Sequence, residues 1–130
     1  MTRFHKLLAA ALGLVLAGGV AQAGYKLNFP VNINLTSRYA QGSLGSARNS
    51  IDTVQYIECS FDIWPASKAA YCYVKNAAGT TANCYTTDPA LVAAVQELDD
   101  DGWILFRWDA GNVCTNISGG VGSPYMPRSP

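Results

Sequence analysis

Six aromatic or charged side chains alternate along two neighbouring segments and are candidates for binding a ligand. They are Tyr56, Glu58, Asp62, Tyr71, Tyr73 and Lys75. If both segments are strands, alternate side chains project from one face of a sheet, so the rings and charges share a surface. Rings offer an apolar surface for stacking and polar groups fix orientation, which suits a glycan, a peptide or a protein surface. Tyrosine is also a common strand residue, so rings covered by a loop or a second sheet would be packing instead.

A second candidate site is the acidic turn at Glu97, Asp99 and Asp101. Together with Gly102, these residues match the first, third, fifth and sixth positions of a calcium-binding loop. The twelfth position is Trp108, where that loop requires a bidentate Glu. Carboxylates at the end of a helix oppose its dipole and repel one another, which a bound calcium ion would relieve. The alternative is a solvated acidic turn without a metal, and we predict no cofactor beyond this candidate calcium ion.

The sequence carries no recognisable catalytic motif. Its one histidine, His5, lies in a predicted leader, so the mature chain has no imidazole for a Ser-His-Asp or Cys-His mechanism. Glu58 and Asp62 come nearest to a glycosidase pair, but four residues along a strand separate their Cα atoms by about 13 Å. Such pairs work at shorter separations, so we predict that the protein is not an enzyme. The alternative is a carboxylate-dependent hydrolase acting on a polysaccharide.

All four cysteines, Cys59, Cys72, Cys84 and Cys114, follow the predicted leader. An even number of cysteines in an exported chain predicts two disulfides. A zinc site built from four thiolates is the rival interpretation. The gaps of 13, 12 and 30 residues contain no C-x2-C pair, so the spacing favours disulfides.

Residues 1–23 predict a cleaved signal peptide. Arg3 and Lys6 supply the positive n-region, residues 7–21 form an apolar stretch of 15, and Ala21-Gln22-Ala23 is a cleavage site that leaves Gly24 first. This stretch is shorter than the roughly 20 residues of a spanning helix, and no second long apolar run follows. We therefore expect a secreted or periplasmic protein with no membrane span after cleavage.

The charge of the mature chain argues against a nucleic-acid partner. Without Arg3 and Lys6, seven basic side chains remain against nine acidic ones, a formal charge of about −2. Binding to nucleic acid depends on a cluster of basic groups that neutralise phosphates, and this chain has none.

The tyrosines are predicted to lie on a hairpin. Residues 53–63 and 69–76 alternate apolar with polar, and Pro65-Ala66 turns the chain between them. A symmetric pairing about this turn brings two cysteines together on the apolar face. The predicted pairs are Ile57 with Val74, Cys59 with Cys72, and Phe61 with Ala70.

Further strands are predicted at residues 26–36, 82–86, 103–108 and 113–118. Pro30 marks the first of these as an edge or bulged strand. The Gly- and Ser-rich segment 37–50 is predicted to be a loop that could contain a short turn at residues 47–49. Residues 119–130 are predicted to form a flexible Gly/Pro/Ser-rich tail. In the last hairpin, Ile104, Phe106 and Trp108 would face Ile117, Thr115 and Val113, with Cys114 on the opposite face.

One helix is predicted near residues 89–98. Asp88 is placed as its N-cap and Pro89 as its first helical residue. Its apolar stripe has helical spacing. The stripe consists of Leu91, Val92, Val95 and Leu98.

These elements predict a mainly β (α+β) fold, an antiparallel β-sandwich-like domain of about six short strands over residues 24–118. The helix would bridge two sheets or plug one end. Cys59 and Cys72 are predicted to share one face of the sheet, and Cys114 to point from the opposite face of its hairpin. We therefore favour the disulfides Cys59–Cys72 and Cys84–Cys114. The alternative pairs Cys72 with Cys84 and Cys59 with Cys114.

The sequence therefore predicts a small exported protein, stabilised by disulfides, that acts by binding or as a structural module of the envelope or the secreted fraction. A secreted protein inhibitor is a further alternative. It would need a rigid, exposed loop, and residues 43–50 are too rich in Gly and Ser to be preorganised.

Overall fold

A computed structural model describes residues 24–125 of the 130-residue chain. The predicted leader and residues 126–130 lie outside the described residues. The described part contains seven strands and two helices. In chain order they are β1 (Asn32–Asn34), β2 (Tyr39–Ser43), α1 (Leu44–Arg48), β3 (Tyr56–Trp64), β4 (Ser67–Lys75), β5 (Thr81–Thr86), α2 (Pro89–Gln96), β6 (Gly102–Trp108) and β7 (Cys114–Val121).

The strands form two antiparallel sheets, which confirms the predicted mainly β fold. One sheet has the order β1-β2-β6-β7 and the other the order β3-β4-β5. Helix α2 contacts β3 and β4 of one sheet and β7 of the other, so it bridges the sheets. Phe106, Val74 and Val92, which come from the two sheets and the helix, are among the most deeply buried side chains. Between residues 24 and 125, no helix has the length and apolar character needed to cross a membrane.

The β3–β4 hairpin has the predicted register. Pro65-Ala66 forms a two-residue turn, since Trp64 pairs with Ser67 on either side of it. Ile57 pairs with Val74, Cys59 with Cys72, and Phe61 with Ala70. The register follows from the alternation, because a slip of one residue would expose every buried side chain of the strand.

Both disulfides in the structure are the ones that the sequence favoured. Cys59 is bonded to Cys72 within the hairpin, with the two Cα atoms 4.1 Å apart. Cys84 is bonded to Cys114, which joins β5 of one sheet to β7 of the other. The described residues include no free cysteine, so their thiolates are not available for zinc.

Helix α2 begins as predicted. The side chain of Asp88 accepts hydrogen bonds from the backbone N–H groups of Ala90 (2.8 Å) and Leu91 (3.2 Å), and Pro89 follows the cap. These bonds satisfy two of the backbone donors that a helix leaves free at its start. Val92 and Val95 are buried, so the apolar stripe faces the core.

The prediction of a loop over residues 37–50 was wrong. That segment contains β2 and α1, and Ala40, Ser43 and Ala47 in it are buried. Its small residues are there because neighbouring backbone comes close: a Cβ on Gly42 would lie 3.1 Å from the Cα of Val31. The side chain of Ser43 caps α1 by accepting from the N–H of Ser46 at 3.2 Å. Composition alone does not distinguish such a close approach from a flexible loop.

The first strand is shorter than predicted. Only residues 32–34 pair as β1, although Val31 is buried and Leu27 forms a single bridge to Tyr125. The alternation fails at Leu35, which is 56% exposed. As expected from Pro30, β1 lies at the edge of its sheet.

The predicted register of the last hairpin was wrong by two residues. Phe106 pairs with Ile117 rather than Thr115, and an irregularity between Arg107 and Trp108 brings Trp108 opposite Cys114. Cys114 is therefore buried on the inner side instead of lying on the outer face beside Arg107. A β-bulge adds one unpaired residue to a strand, which simple alternation cannot reveal.

Strand β7 continues to Val121, past Ser118 where the strand was expected to end. Gly119 lies against the segment that follows α2, because a Cβ there would collide with the side chain of Leu98. Gly119 thus allows the segment after α2 to pack closely on the strand.

Candidate binding face

The candidate residues lie on the outer face of the sheet β3-β4-β5. Its inner face is buried, as Ile57, Cys72 and Cys84 show for the three strands. Since neighbouring positions along a strand point to opposite faces, Tyr56 and Tyr73 project outward. The structure places all six predicted residues on this outer face, Tyr56, Glu58 and Asp62 on β3 and Tyr71, Tyr73 and Lys75 on β4.

The rings on this outer face are accessible. Tyr56 is 43% exposed and Tyr73 is 41% exposed, whereas Tyr71 is half-buried. Packed rings would be mostly covered, so the exposure favours a surface over a core function for Tyr56 and Tyr73.

The strand register sets the spacing of the rings. Tyr73 lies between Glu58 of β3 and Asn83 of β5, and Tyr71 lies between Ser60 and Tyr85. Neighbours across strands have Cβ atoms about 5 Å apart, and alternate residues along a strand are about 6.7 Å apart. Tyr71 is therefore a neighbour of both Tyr73 and Tyr85, and Tyr56, opposite Lys75, lies diagonally across from Tyr73. We call this set the tyrosine face: Tyr56, Tyr71, Tyr73 and Tyr85.

Two aromatic residues of this surface were missed by the sequence analysis. Tyr85 is 49% exposed beside Tyr71, and Trp64 is 65% exposed near the hairpin turn, two positions beyond Asp62. Tyr85 adjoins the buried Cys84, so alternation along β5 could have assigned it outward. Trp64 was missed because the predicted strand ended at Ile63.

The carboxylates of the face are far apart and unpaired. Glu58 and Asp62 are both exposed, and their carboxylates form no hydrogen bond or ion pair with any of residues 24–125. With Ser60 between them on the same face, their Cα atoms are about 13 Å apart by strand rise. The carboxyl groups of glycosidase pairs are roughly 5–9.5 Å apart, so these two side chains would have to lean toward each other to act as such a pair.

The acidic turn after α2 holds the three residues predicted as calcium ligands. Glu97 is the C-cap of α2, and the Asp99 carboxylate accepts from the N–H of Asp101 at 3.4 Å. Over residues 24–125, the oxygens of these three side chains do not converge within 4.8 Å of one another. The carboxylates would have to rearrange to share one ion, and calcium binding here stays a prediction.

One group of potential metal ligands does converge. The sulfur atoms of Cys72, Cys84 and Cys114 lie within 4.8 Å of one another. All three are bonded in disulfides, so this cluster is a structural feature of the core.

Comparison with known proteins adds no relative. No protein-family model matches the chain. Searches of curated proteins and of solved structures likewise find none that is significantly similar.

Proposed function

We propose that this protein is an exported, non-enzymatic binding module whose tyrosine face holds a glycan chain. The observation that supports it is the accessible row of rings on one face of β3-β4-β5, three of which are more than 40% exposed. Exposed aromatic patches of this kind on a small domain are typical of interaction sites.

A glycan fits the face better than a strongly charged ligand. The face carries Glu58, Asp62 and Lys75, so its net charge is small and its charges are dispersed. Rings stack on the apolar side of a sugar, and Asn83, Glu58 and the phenol groups are placed to hydrogen-bond its hydroxyls.

The sheet under the face is preorganised. The Cys59–Cys72 bond fixes β3 to β4, and the Cys84–Cys114 bond anchors β5 to the other sheet. Holding the rings in place before binding reduces the conformational entropy that binding would cost.

The double substitution Tyr71→Ala with Tyr73→Ala tests this proposal. Titration of the wild-type protein with cellohexaose, xylohexaose and chitohexaose should give a measurable Kd for at least one of these oligosaccharides. Each lost ring contact is worth about 0.5–1.5 kcal/mol, so the Kd should rise roughly 5- to 150-fold while the melting temperature changes little.

The matched control is Tyr25→Ala, which removes a tyrosine that is 77% exposed and lies outside the sheet. It should leave the Kd unchanged. If none of the oligosaccharides binds, or if the double substitution unfolds the protein, the face is not a glycan site.

A further inference from the structure

Strand β3 has an edge without a hydrogen-bonded neighbour strand, although α1 and β2 contact it. It lies at the end of the sheet order β3-β4-β5 and, at nine residues, is as long as any strand described. Natural edge strands are commonly short, bulged, or interrupted by Lys or Pro. Residues 56–64 contain neither Lys nor Pro. Phe61 and Ile63, on the inner side, are 42% and 52% exposed.

The backbone groups that point out of this edge can be identified. In an antiparallel pair, opposite residues with Cα atoms near 4.5 Å are those that do not hydrogen-bond to each other. Cys59 and Cys72 are 4.1 Å apart, so Cys59, and with it every second residue such as Phe61, directs its N–H and C=O away from β4. Within residues 24–125, these groups form no further backbone hydrogen bonds.

A cleft runs along the same edge. It has a volume of about 720 Å³ and is lined by consecutive residues of β3 from Tyr56 to Phe61. Because neighbouring positions alternate between faces, a cleft that touches all of them follows the edge of the strand rather than one face. The cleft is also lined by apolar side chains of other elements, Leu44 of α1, Leu98 after α2, and Ile104 of β6. Apolar side chains therefore have a place to enter.

The charges around the cleft are mainly negative. Glu58, Asp99 and Asp100 line it against one cation, Arg48, and Asp62 follows on the outer face of β3. A strand added to β3 places its own side chains opposite Glu58 and Asp62, with Cβ atoms about 5 Å away. Because Glu58 and Asp62 are four residues apart, two basic residues four apart in the added strand would lie opposite them.

We propose that the edge of β3 is a docking groove for an extended basic peptide segment of a partner protein. The segment adds to β3 as an antiparallel strand, with apolar residues directed into the cleft and Lys or Arg opposite Glu58 and Asp62. Main-chain hydrogen bonds provide the affinity in this mode of recognition, and alternate side chains provide the specificity.

A second copy of this chain fits the edge less well. Two β3 strands paired about Ser60 would bring Glu58 of each chain opposite Asp62 of the other. Like charges directly opposite each other are destabilising. Pairing about Phe61 avoids that contact but leaves both acids without a counter-charge.

A labelled, end-blocked heptapeptide, Val-Lys-Val-Thr-Val-Lys-Val, is the probe for fluorescence anisotropy. In the antiparallel alignment its second and sixth residues, both Lys, lie opposite Asp62 and Glu58, and its third and fifth residues lie opposite Phe61 and Cys59. N-methylation of those two valines removes donors that face β3, so the Kd should rise about tenfold or more. N-methylation of the central threonine, whose N–H faces solvent, is the matched control and should leave the Kd unchanged.

Charge and edge variants complete the test. The same peptide with Glu in place of Lys should bind at least tenfold more weakly, and that difference should shrink in high salt. Phe61→Pro removes an outward N–H, which an edge strand tolerates, and should abolish peptide binding without changing the circular dichroism spectrum.

Three results would overturn the proposal. They are no binding of the lysine peptide, equal binding of the glutamate peptide, or a Kd that does not change when the backbone nitrogens of the two valines are methylated. Sedimentation showing that the free protein dimerises, and that Phe61→Pro makes it monomeric, would assign the edge to a second copy instead. The groove and the glycan site share Tyr56 and Glu58, but the two proposals can fail separately. Phe61→Pro should retain oligosaccharide binding, and Tyr71→Ala with Tyr73→Ala should retain peptide binding.

Discussion

At the scale of single residues, Asp52 has the clearest electrostatic signature. Its carboxylate accepts hydrogen bonds from the side-chain amide of Gln55 and from the backbone N–H groups of Gln55 (2.9 Å) and Val54 (2.8 Å). The Gln55 side chain, followed by these backbone donors, lowers the pKa of Asp52 from 3.8 to about 2. The side chain of Gln55 also accepts a hydrogen bond from the N–H of Val31 at 2.9 Å. Asp52 and Gln55 therefore connect the segment before β3 with the residue that precedes β1.

This arrangement predicts a pH-dependent stability. Because the pKa of Asp52 is lower in the folded state, its contribution is present above the unfolded pKa of about 3.8 and is lost as the pH falls towards 2. Urea unfolding between pH 2 and 7 should show Asp52→Asn less stable than the wild type at pH 7, with the difference shrinking below pH 4. Glu58→Gln, which removes a carboxylate without hydrogen bonds to residues 24–125, is the control. Parallel curves for wild type and Asp52→Asn would contradict the prediction.

At the scale of elements, sequence predicted the β3–β4 hairpin well and β2, α1 and β7 poorly. The hairpin is encoded locally, by alternation, a two-residue turn and two cysteines that must meet. Strand β2 is encoded by its partners: Ala40 is buried because it pairs with Phe106, which lies far along the chain. Gly119 of β7 depends on the position of Leu98 in the same way, and Gly120 on that of Trp103. Such close approaches leave no periodic pattern in the sequence.

The two disulfides differ in what they join, and this predicts different effects of their removal. Cys84–Cys114 spans 30 residues and links the sheets, whereas Cys59–Cys72 spans 13 and links strands that are already paired. The chain-entropy estimate gives losses of about 3.6 and 2.9 kcal/mol in the free energy of unfolding. Chemical unfolding of the two double Cys→Ala variants should therefore rank Cys84→Ala with Cys114→Ala as the less stable. A melting temperature that reductant leaves unchanged would refute a stabilising function for either bond.

At the scale of the whole molecule, the candidate site was partly predictable. The alternation along β3 and β4 assigned six of its residues to one face, because that assignment needs only local pattern. Tyr85 joins the face through the pairing of β5 with β4, and the groove along β3 exists because β3 is the end strand of its sheet. Strand order is a property of the complete fold, so neither could be deduced from one segment.

The two disulfides and the leader-like residues 1–23 together predict that the chain folds after export. Disulfides form and persist in oxidising compartments, and a signal peptide delivers the chain to one. Expressed in a bacterium, the full chain should be recovered from the periplasm or medium with Gly24 first and a mass two hydrogens lower per bridge than the reduced form. A version lacking residues 1–23 and retained in the cytosol is the control, and its four cysteines should react with iodoacetamide. Recovery of exported protein that still begins at Met1, or full oxidation of the cytosolic version, would show that export and folding are not linked in this way.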